Sequence, residues 1–465
     1  MEKTKHRRNS FGTFINVGRA LLAALVLVLV AAFAGPAGYA ASAAQGQTVA
    51  VQPNIVYVVT DDMRKDDLNY MPKTRSLIFD QGITYNNAFT TTSQCCPSRS
   101  SVLTGKYVHN HKVTSNSAGV FAREGNPDHT IAVWLHNAGY TTMLSGKYLN
   151  GFTDDTPPPG WDEFHGFGNI VYYDADGNYS TDVIRDQAKD FIDRQQGSSQ
   201  PFFMYLAPVA PHTPATPAAR HSSLFPSAKS PRPPSFNEED VSDKPAYISS
   251  LGKADELGID QRFRKRIRSL QAVDEMVEAT VNELRATGKL DNTYIVFSSD
   301  NGWMQGEHRL ARDKNAPYEP SIRIPLGIRG PGIPAGRSTD QMALNIDFAA
   351  TFAEWGGAKA STKVDGRSLV PTLQADAPIW RKRFLEEYWG TGNTAVPPHT
   401  SVRSATKKYI LYEDGFEELY DLKADPDEMD NLEKTQPGVD DSALAAKLET
   451  LKACSGQLCR DAENR

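Results

Sequence analysis

The sequence predicts an α/β fold: a mostly parallel sheet flanked by helices, followed by a smaller α+β domain. Three observations predict it. Short apolar runs alternate with amphipathic helical stretches, the pattern of parallel β–α–β units. The runs are apolar almost throughout, as strands buried on both faces must be. Residues able to do chemistry fall just past the ends of those runs, where open parallel sheets bind their ligands.

The 465 residues exceed one typical domain. A net charge of -6 argues against nucleic acid as partner. The chain opens on Lys3, Lys5, Arg7 and Arg8 and continues into an apolar run over 20–34, too short for a comfortable membrane span. Gly38-Tyr39-Ala40 and Ala41-Ser42-Ala43 are candidate cleavage sites. Residues 1–43 therefore read as a signal peptide, by the general or, given Arg7-Arg8, the twin-arginine route. An uncleaved anchor is the alternative. With no second span visible, the mature chain is expected to be secreted or periplasmic, without stable membrane insertion. Four cysteines are too few for a disulfide scaffold. Cys454 and Cys459 close a short loop and read as a disulfide in an oxidising compartment, or as free thiols in the cytosol.

Residues 54–60 form the first strand and run straight into Asp61-Asp62. A helix over 130–137 stops near Gly139, and the strand after it, 140–144, leads to Ser145-Gly146-Lys147. An amphipathic helix over 182–192 carries Val183, Ile184, Phe191 and Ile192 inward. The strand over 202–206 leads to Pro211-His212. From Phe263, apolar residues fall at Ile267, Leu270, Val273, Val277, Val281 and Leu284, steps of three and four that mark the clearest helix. The strand over 294–297 then delivers Asp300 and Asn301. Residues 213–245, rich in proline, serine and charge, form a long loop, a lid or disordered, bordering the mouth of the site. The texture changes after about residue 375, with strands at 409–412 and 418–422 and a helix over 442–452. The expected division is a catalytic domain over 51–375 and a smaller domain over 376–465. No internal repeat is visible.

One stretch carries the chemistry: Cys95-Cys96-Pro97-Ser98-Arg99-Ser100-Ser101-Val102-Leu103-Thr104-Gly105. Pro97 suits the first turn of a helix and Gly105 its end. Cys95 then sits at a helix N-terminus, where unpaired N–H groups favour negative charge, with Arg99 one turn in. A buried thiol pair at an ordinary helix start is the plain reading. Position by position, however, the stretch resembles the type I sulfatase signature C-x-P-S-R-x-x-x-L-T-G. The resemblance implies an alkaline-phosphatase-like fold. It further implies that a formylglycine-generating enzyme converts Cys95 to formylglycine (3-oxoalanine), with Cys96 in the variable position.

The oxygen donors of Asp61, Asp62, Asp300 and Asn301 suit a hard cation and not zinc. The resemblance implies that they bind calcium, with magnesium as the alternative, together with residue 95. It also assigns catalytic roles to Arg99, Lys147 in Gly146-Lys147-Tyr148, His212 in Pro211-His212-Thr213, and Lys314 after Gly306-Glu307-His308. Many sulfatases have a histidine two residues after that lysine; here Leu149 stands there, followed by Asn150. This departure, with Cys96 and Gly146-Lys147-Tyr148-Leu149-Asn150, is similar to the N-acetylglucosamine-6-sulfatase and heparan-type branch. The implied mechanism is covalent: one hydroxyl of the formylglycine hydrate, activated by Asp300, attacks sulfur while His212 and Lys314 assist the leaving oxygen. The second hydroxyl then expels sulfate. Substrates implied are sulfated carbohydrates, such as 6-sulfated N-acetylglucosamine, or aryl sulfates. Two alternatives remain: a phosphonate or phosphodiester hydrolase of the same superfamily, and an unmodified protein that only binds sulfated glycans.

Overall fold

Every residue of strand β1 (Asn54–Thr60) is buried, as its apolar run requires. In this computed structural model, which describes residues 52–465 except 155, 313, 378, 391–394 and 437, β1 lies inside an eight-stranded sheet. The expected signal peptide over 1–43 lies outside the described residues. After β1 come β2 (Ile83–Tyr85), β3 (Ala88–Phe89), β4 (Thr141–Lys147), β5 (Glu163–Phe167), β6 (Phe202–Ala207), β7 (Thr293–Ser299), β8 (Leu326–Arg329), β9 (Arg337–Thr339) and β10 (Ala343–Leu344). The sheet order is β5-β4-β6-β1-β7-β8-β2-β9, with β8 antiparallel to both its neighbours and the rest parallel; β3 and β10 form a separate pair.

Side chains alternate across a strand, so β1 feeds two helical layers. Ile55, Tyr57 and Val59 pack with Trp134, Leu135, Phe348 and Phe352 on one face. Val56 and Val58 pack with Phe191, Leu270, Val273 and Val277 on the other. The second layer is the helices Ser180–Arg194 and Glu256–Ala286, the latter starting seven residues before its apolar period becomes visible. Val183 is only half-buried; Ala188 lies on the inner face instead.

Register positions the site. Thr60 pairs with Ser299 across β1 and β7, so Asp61 and Asp300 leave adjacent strands side by side. Gly146 pairs with Ala207, which aligns Lys147 with the exit of β6 toward His212.

Residues 213–245 are strapped down along their length. His221 Nε2 bonds Glu275 Oε1 (2.9 Å), the Ser230 N–H donates to Asp260 (3.0 Å), and His308 N–H donates to Ser235 O (2.8 Å). The second sheet is antiparallel, β11 (Arg383–Tyr388), β12 (His399–Ser404), β13 (Lys407–Tyr412) and β14 (Glu417–Asp421) in order. The helices Ser442–Lys452 and Gln457–Asn464 follow it, tied by a Cys454–Cys459 disulfide. Its apolar face shares one cluster with Phe89, Ile322, Leu344 and Ile346, and the described residues fall in a single compact unit. Among the described residues no helix is long and apolar enough to cross a membrane.

Candidate active site

The Cys95–Thr104 helix is built as its sequence dictates. Gln94 is extended at its start, Pro97 lies in the first turn, and Gly105 stops it with a left-handed φ of 68°. Its N-terminus points Cys95 at the carboxylates leaving β1: Sγ is 3.3 Å from Asp61 Oδ1 and 3.8 Å from Asp62 Oδ1. One turn on, Arg99 is fully buried. Its Nε donates to Asp300 Oδ2 (2.8 Å), Nη1 to Lys147 O (2.7 Å), and Nη2 lies 3.7 Å from Asp61 Oδ2.

Asp62 takes a left-handed φ of 67°, a conformation few residues besides glycine, asparagine and aspartate adopt, and its N–H donates to Asp300 Oδ1 (3.0 Å). Asp300 Oδ1 also accepts from Asn301 N–H (2.8 Å), while Asp300 N–H donates to Thr60 O (3.1 Å). Two strand ends are thereby stitched into one acidic floor. Two ammonium groups lie against it. Lys147 Nζ is 2.5 Å from Asp61 Oδ2, and Lys314 Nζ is 2.5 Å from Asp62 Oδ1 and 2.6 Å from Cys95 Sγ. His212 Nε2 stands 3.6 Å from Asp62 Oδ2, and Nδ1 bonds the Thr213 carbonyl at 2.6 Å. The structure thus gathers all nine sequence-predicted site residues around one point.

Burial pushes the Asp61 and Asp62 carboxyls up, but the facing cations win and hold both below the usual range: chiefly Lys147 for Asp61 and Lys314 for Asp62, each helped by His212. Asp300 goes the other way, raised by burial and by Asp61. Burial, with Asp61 beside it, also pushes the Cys95 thiol well up. An unmodified Cys95 is therefore held as a neutral thiol, a poor nucleophile.

The fit to a cation rests on donor chemistry and on two orphaned atoms. Asp62 Oδ2 and Asn301 Oδ1 are buried with no hydrogen-bond partner among the described residues. Ligand atoms of Asp61, Asp62, Cys95 and His212 all lie within 4.8 Å of one another. Converging carboxylates plus an amide oxygen suit calcium or magnesium. Leu149 is fully buried in the core and brings no acid or base to the site.

Two supporting residues escaped the sequence reading. Arg266, buried on the Glu256–Ala286 helix, donates from Nη2 to Asp62 O (2.6 Å) and Asp67 Oδ2 (3.0 Å), and from Nη1 to Pro211 O (3.3 Å). It fixes the backbone of both Asp62 and the residue before His212. Its signal was present: a basic residue between Phe263 and Leu270 in the apolar register. Asn345 accepts from Thr91 N–H (3.1 Å) and donates to Ser98 Oγ (3.0 Å), bracing the turn into Cys95. Nothing local marks it.

Residues 53–358 match the family model described as Sulfatase, and residues 306–453 the one described as N-sulphoglucosamine sulphohydrolase, C-terminal. The chain is 32% identical to a Homo sapiens N-acetylglucosamine-6-sulfatase, over 94% of this chain and 90% of that protein. It is 36% identical to a Drosophila melanogaster extracellular sulfatase SULF-1 homolog over 74% of this chain, but spans only 34% of that longer protein. A solved structure in complex with its substrate D-glucosamine-2-N,6-O-disulfate superposes with a TM-score of 0.74 at 27% identity, covering 89% of this chain and 99% of that one.

Proposed function

The chain belongs to the sulfatase family, and from that we propose that it hydrolyses sulfate monoesters on sugars, the 6-O-sulfate of glucosamine residues first among them. The observation that carries the reading is the convergence of Cys95 Sγ, Asp61, Asp62 and Lys314 Nζ at the start of one helix. The names of the human relative and of the sugar bound in the similar structure support the substrate class.

Asp61, Asp62, Asp300 and Asn301 would hold the divalent cation, calcium by preference. Bound there, it would neutralise charge on the sulfate and on residue 95. Carried as formylglycine, residue 95 would supply a hydrated aldehyde oxygen as nucleophile, which a neutral buried thiol does not. The protein's own groups do the rest. Arg99 orients Asp300 and lends its charge to the oxygens at position 95. Lys147 sits over Asp61, where a sulfate oxygen would meet it, and Lys314 spans Asp62 and residue 95. His212 keeps Nδ1–H on the Thr213 carbonyl, which leaves Nε2 as the atom that exchanges a proton. Nε2 lies 3.6 Å from the buried Asp62 Oδ2 on a side chain that is 23% exposed, so the imidazole links the acidic floor to the solvent side, from which the leaving oxygen would take its proton. The same reading assigns the chain to an exported, oxidising compartment, which the Cys454–Cys459 bond supports.

The test pairs a mass spectrum of the peptide containing Cys95 with sulfate release from N-acetylglucosamine 6-sulfate and from an aryl sulfate. Material co-produced with a formylglycine-generating enzyme is expected to carry the aldehyde and to release sulfate from both. Aldehyde at position 95 with turnover only of an aryl phosphodiester would overturn the sulfatase activity.

A further inference from the structure

We propose that Asn116 is a substrate-binding residue, its Nδ2 donating to a hydroxyl oxygen of the sugar that carries the sulfate. The proposal rests on the reading of the chain as a sugar sulfatase and adds to it a residue that selects the sugar.

The Cys95–Thr104 helix cannot select a substrate by itself, because every residue from 88 to 105 is buried. What meets solvent around residue 95 comes from other segments: His212 and Lys314, with side chains 23% and 12% exposed, and Asn116, which is exposed. Asn116 Oδ1 accepts from the Cys96 N–H at 3.0 Å, one peptide bond beyond residue 95. The free N–H groups of a first turn point out of the helix's N-terminal end, and helical side chains tilt toward that same end. The Asn116 carboxamide and Cys95 Sγ therefore lie off the same end of one helix, where Asp61, Asp62 and Lys314 converge.

An N–H can only donate, so the carboxamide presents Oδ1 to Cys96 and turns Nδ2 away from it. Nδ2 makes no hydrogen bond among the described residues. The segment that carries it is held on both sides. His111 Nε2 bonds Ser101 Oγ (3.0 Å) on the Cys95–Thr104 helix, and the Ala118 N–H donates to Asn150 O (2.8 Å), three residues after Lys147. A donor fixed in place before its ligand arrives loses little freedom on binding. In a 6-O-sulfate only O6 and C6 separate sulfur from the ring, so a sulfate over residue 95 brings the ring's hydroxyls beside these groups. A phenyl ring there would offer Nδ2 no acceptor. A helix cap is the plainer role for Asn116, and it would serve every substrate equally.

The experiment compares kcat/KM for N-acetylglucosamine 6-sulfate with kcat/KM for phenyl sulfate, which shares the sulfate and lacks the hydroxyls. Asn116→Asp keeps an oxygen for the Cys96 N–H and removes the donor. Its added charge acts on the sulfate that both substrates carry, so the ratio cancels it. In this variant the sugar-to-phenyl ratio is expected to fall about tenfold, the loss of one hydrogen bond to the ligand. An unchanged ratio, even with both rates lowered, would assign Asn116 to capping alone and overturn the proposal. Should Asn116→Asp turn over neither substrate, the same ratio in Asn116→Ala decides by the same criterion. If the wild-type protein does not release sulfate from N-acetylglucosamine 6-sulfate, the substrate reading fails separately, and calorimetry with that sugar sulfate and with inorganic sulfate judges Asn116. Sugar sulfate bound about tenfold more weakly by Asn116→Ala, with inorganic sulfate unchanged, upholds the contact; any other result overturns it.

Discussion

Cys95 and Cys96 are neighbours in sequence and opposites in surroundings. Successive helical residues point about 100° apart, so Cys95 faces Asp61 and Lys314 while Cys96 packs in the apolar core. Cys95→Ala is expected to abolish sulfate release while leaving the fold intact. Cys96→Ala removes one buried sulfur and is expected to keep most activity, at a cost of about 1 kcal/mol read by denaturant melts. Equal loss in the two variants would count against the assignment of residue 95. The acidic floor gives a second expectation at this scale. Stripping metal with a chelator leaves Asp61, Asp62 and Asp300 converging and buried, so activity and melting temperature should both fall. Added calcium should restore both; zinc, which prefers nitrogen and sulfur, should not. Asp300→Asn keeps the shape and an acceptor for Arg99 but removes a charge. It should weaken calcium binding, measured by titration calorimetry, and reduce turnover with it.

At the scale of elements, the Cys95–Thr104 helix was legible because its signals are local: a proline in the first turn and a glycine past the last. Gly105 carries the second signal physically. Its φ is 68°, its N–H closes on Ser101 O at 2.8 Å, and an added Cβ would lie 2.6 Å from Val364 Cγ1. Gly105→Ala should therefore cost about 1–3 kcal/mol in a urea melt. A smaller change would mean that the helix end shifts freely. Strands β1, β6 and β7 were legible for a similar reason, each an unbroken apolar run at an exit that carries chemistry. β11 and β12 were not. Glu386, Glu387, His399 and Arg403 interrupt their pattern, and their burial depends on distant partners: Glu387 on His109, Arg403 on Glu319. The 213–245 loop is another case, since its anchors, to Asp260 and Glu275 of the Glu256–Ala286 helix and to His308, carry no period. Arg266 lies between the two kinds. Its place on an apolar face was visible, but that it holds Asp62 and Pro211 needed the tertiary fold.

For the whole molecule, the question is whether 51–375 and 376–465 are two domains or one. Buried charge pairs and an apolar cluster cross that boundary. Arg381 makes a two-pronged bond to Asp347, 2.6 Å to Oδ2 and 2.8 Å to Oδ1, and is itself held within 376–465 by Nε donating to Glu463 Oε2 (2.9 Å), all with no solvent exposure. Glu319 meets Arg403 at 3.2 Å and Lys408 at 3.0 Å. Phe89 packs against Phe384, their rings tilted 31° with centres 5.0 Å apart. Cutting the chain after residue 375 would leave Asp347 buried without Arg381, and Glu319 without Arg403 and Lys408. Breaking one such pair costs about 3–5 kcal/mol, against a total stability of about 5–15 kcal/mol for an ordinary domain. It would also uncover Phe89, Leu344 and Ile346, which the C-terminal sheet covers. The fragment ending at residue 375 is therefore expected to show no cooperative thermal transition and to bind a hydrophobic dye, whereas the full chain melts once. Loss of Glu418 would also release Tyr318, near Lys314, so any residual fold should lack turnover. A fragment that melts cooperatively and releases sulfate in calcium would establish two independent domains instead.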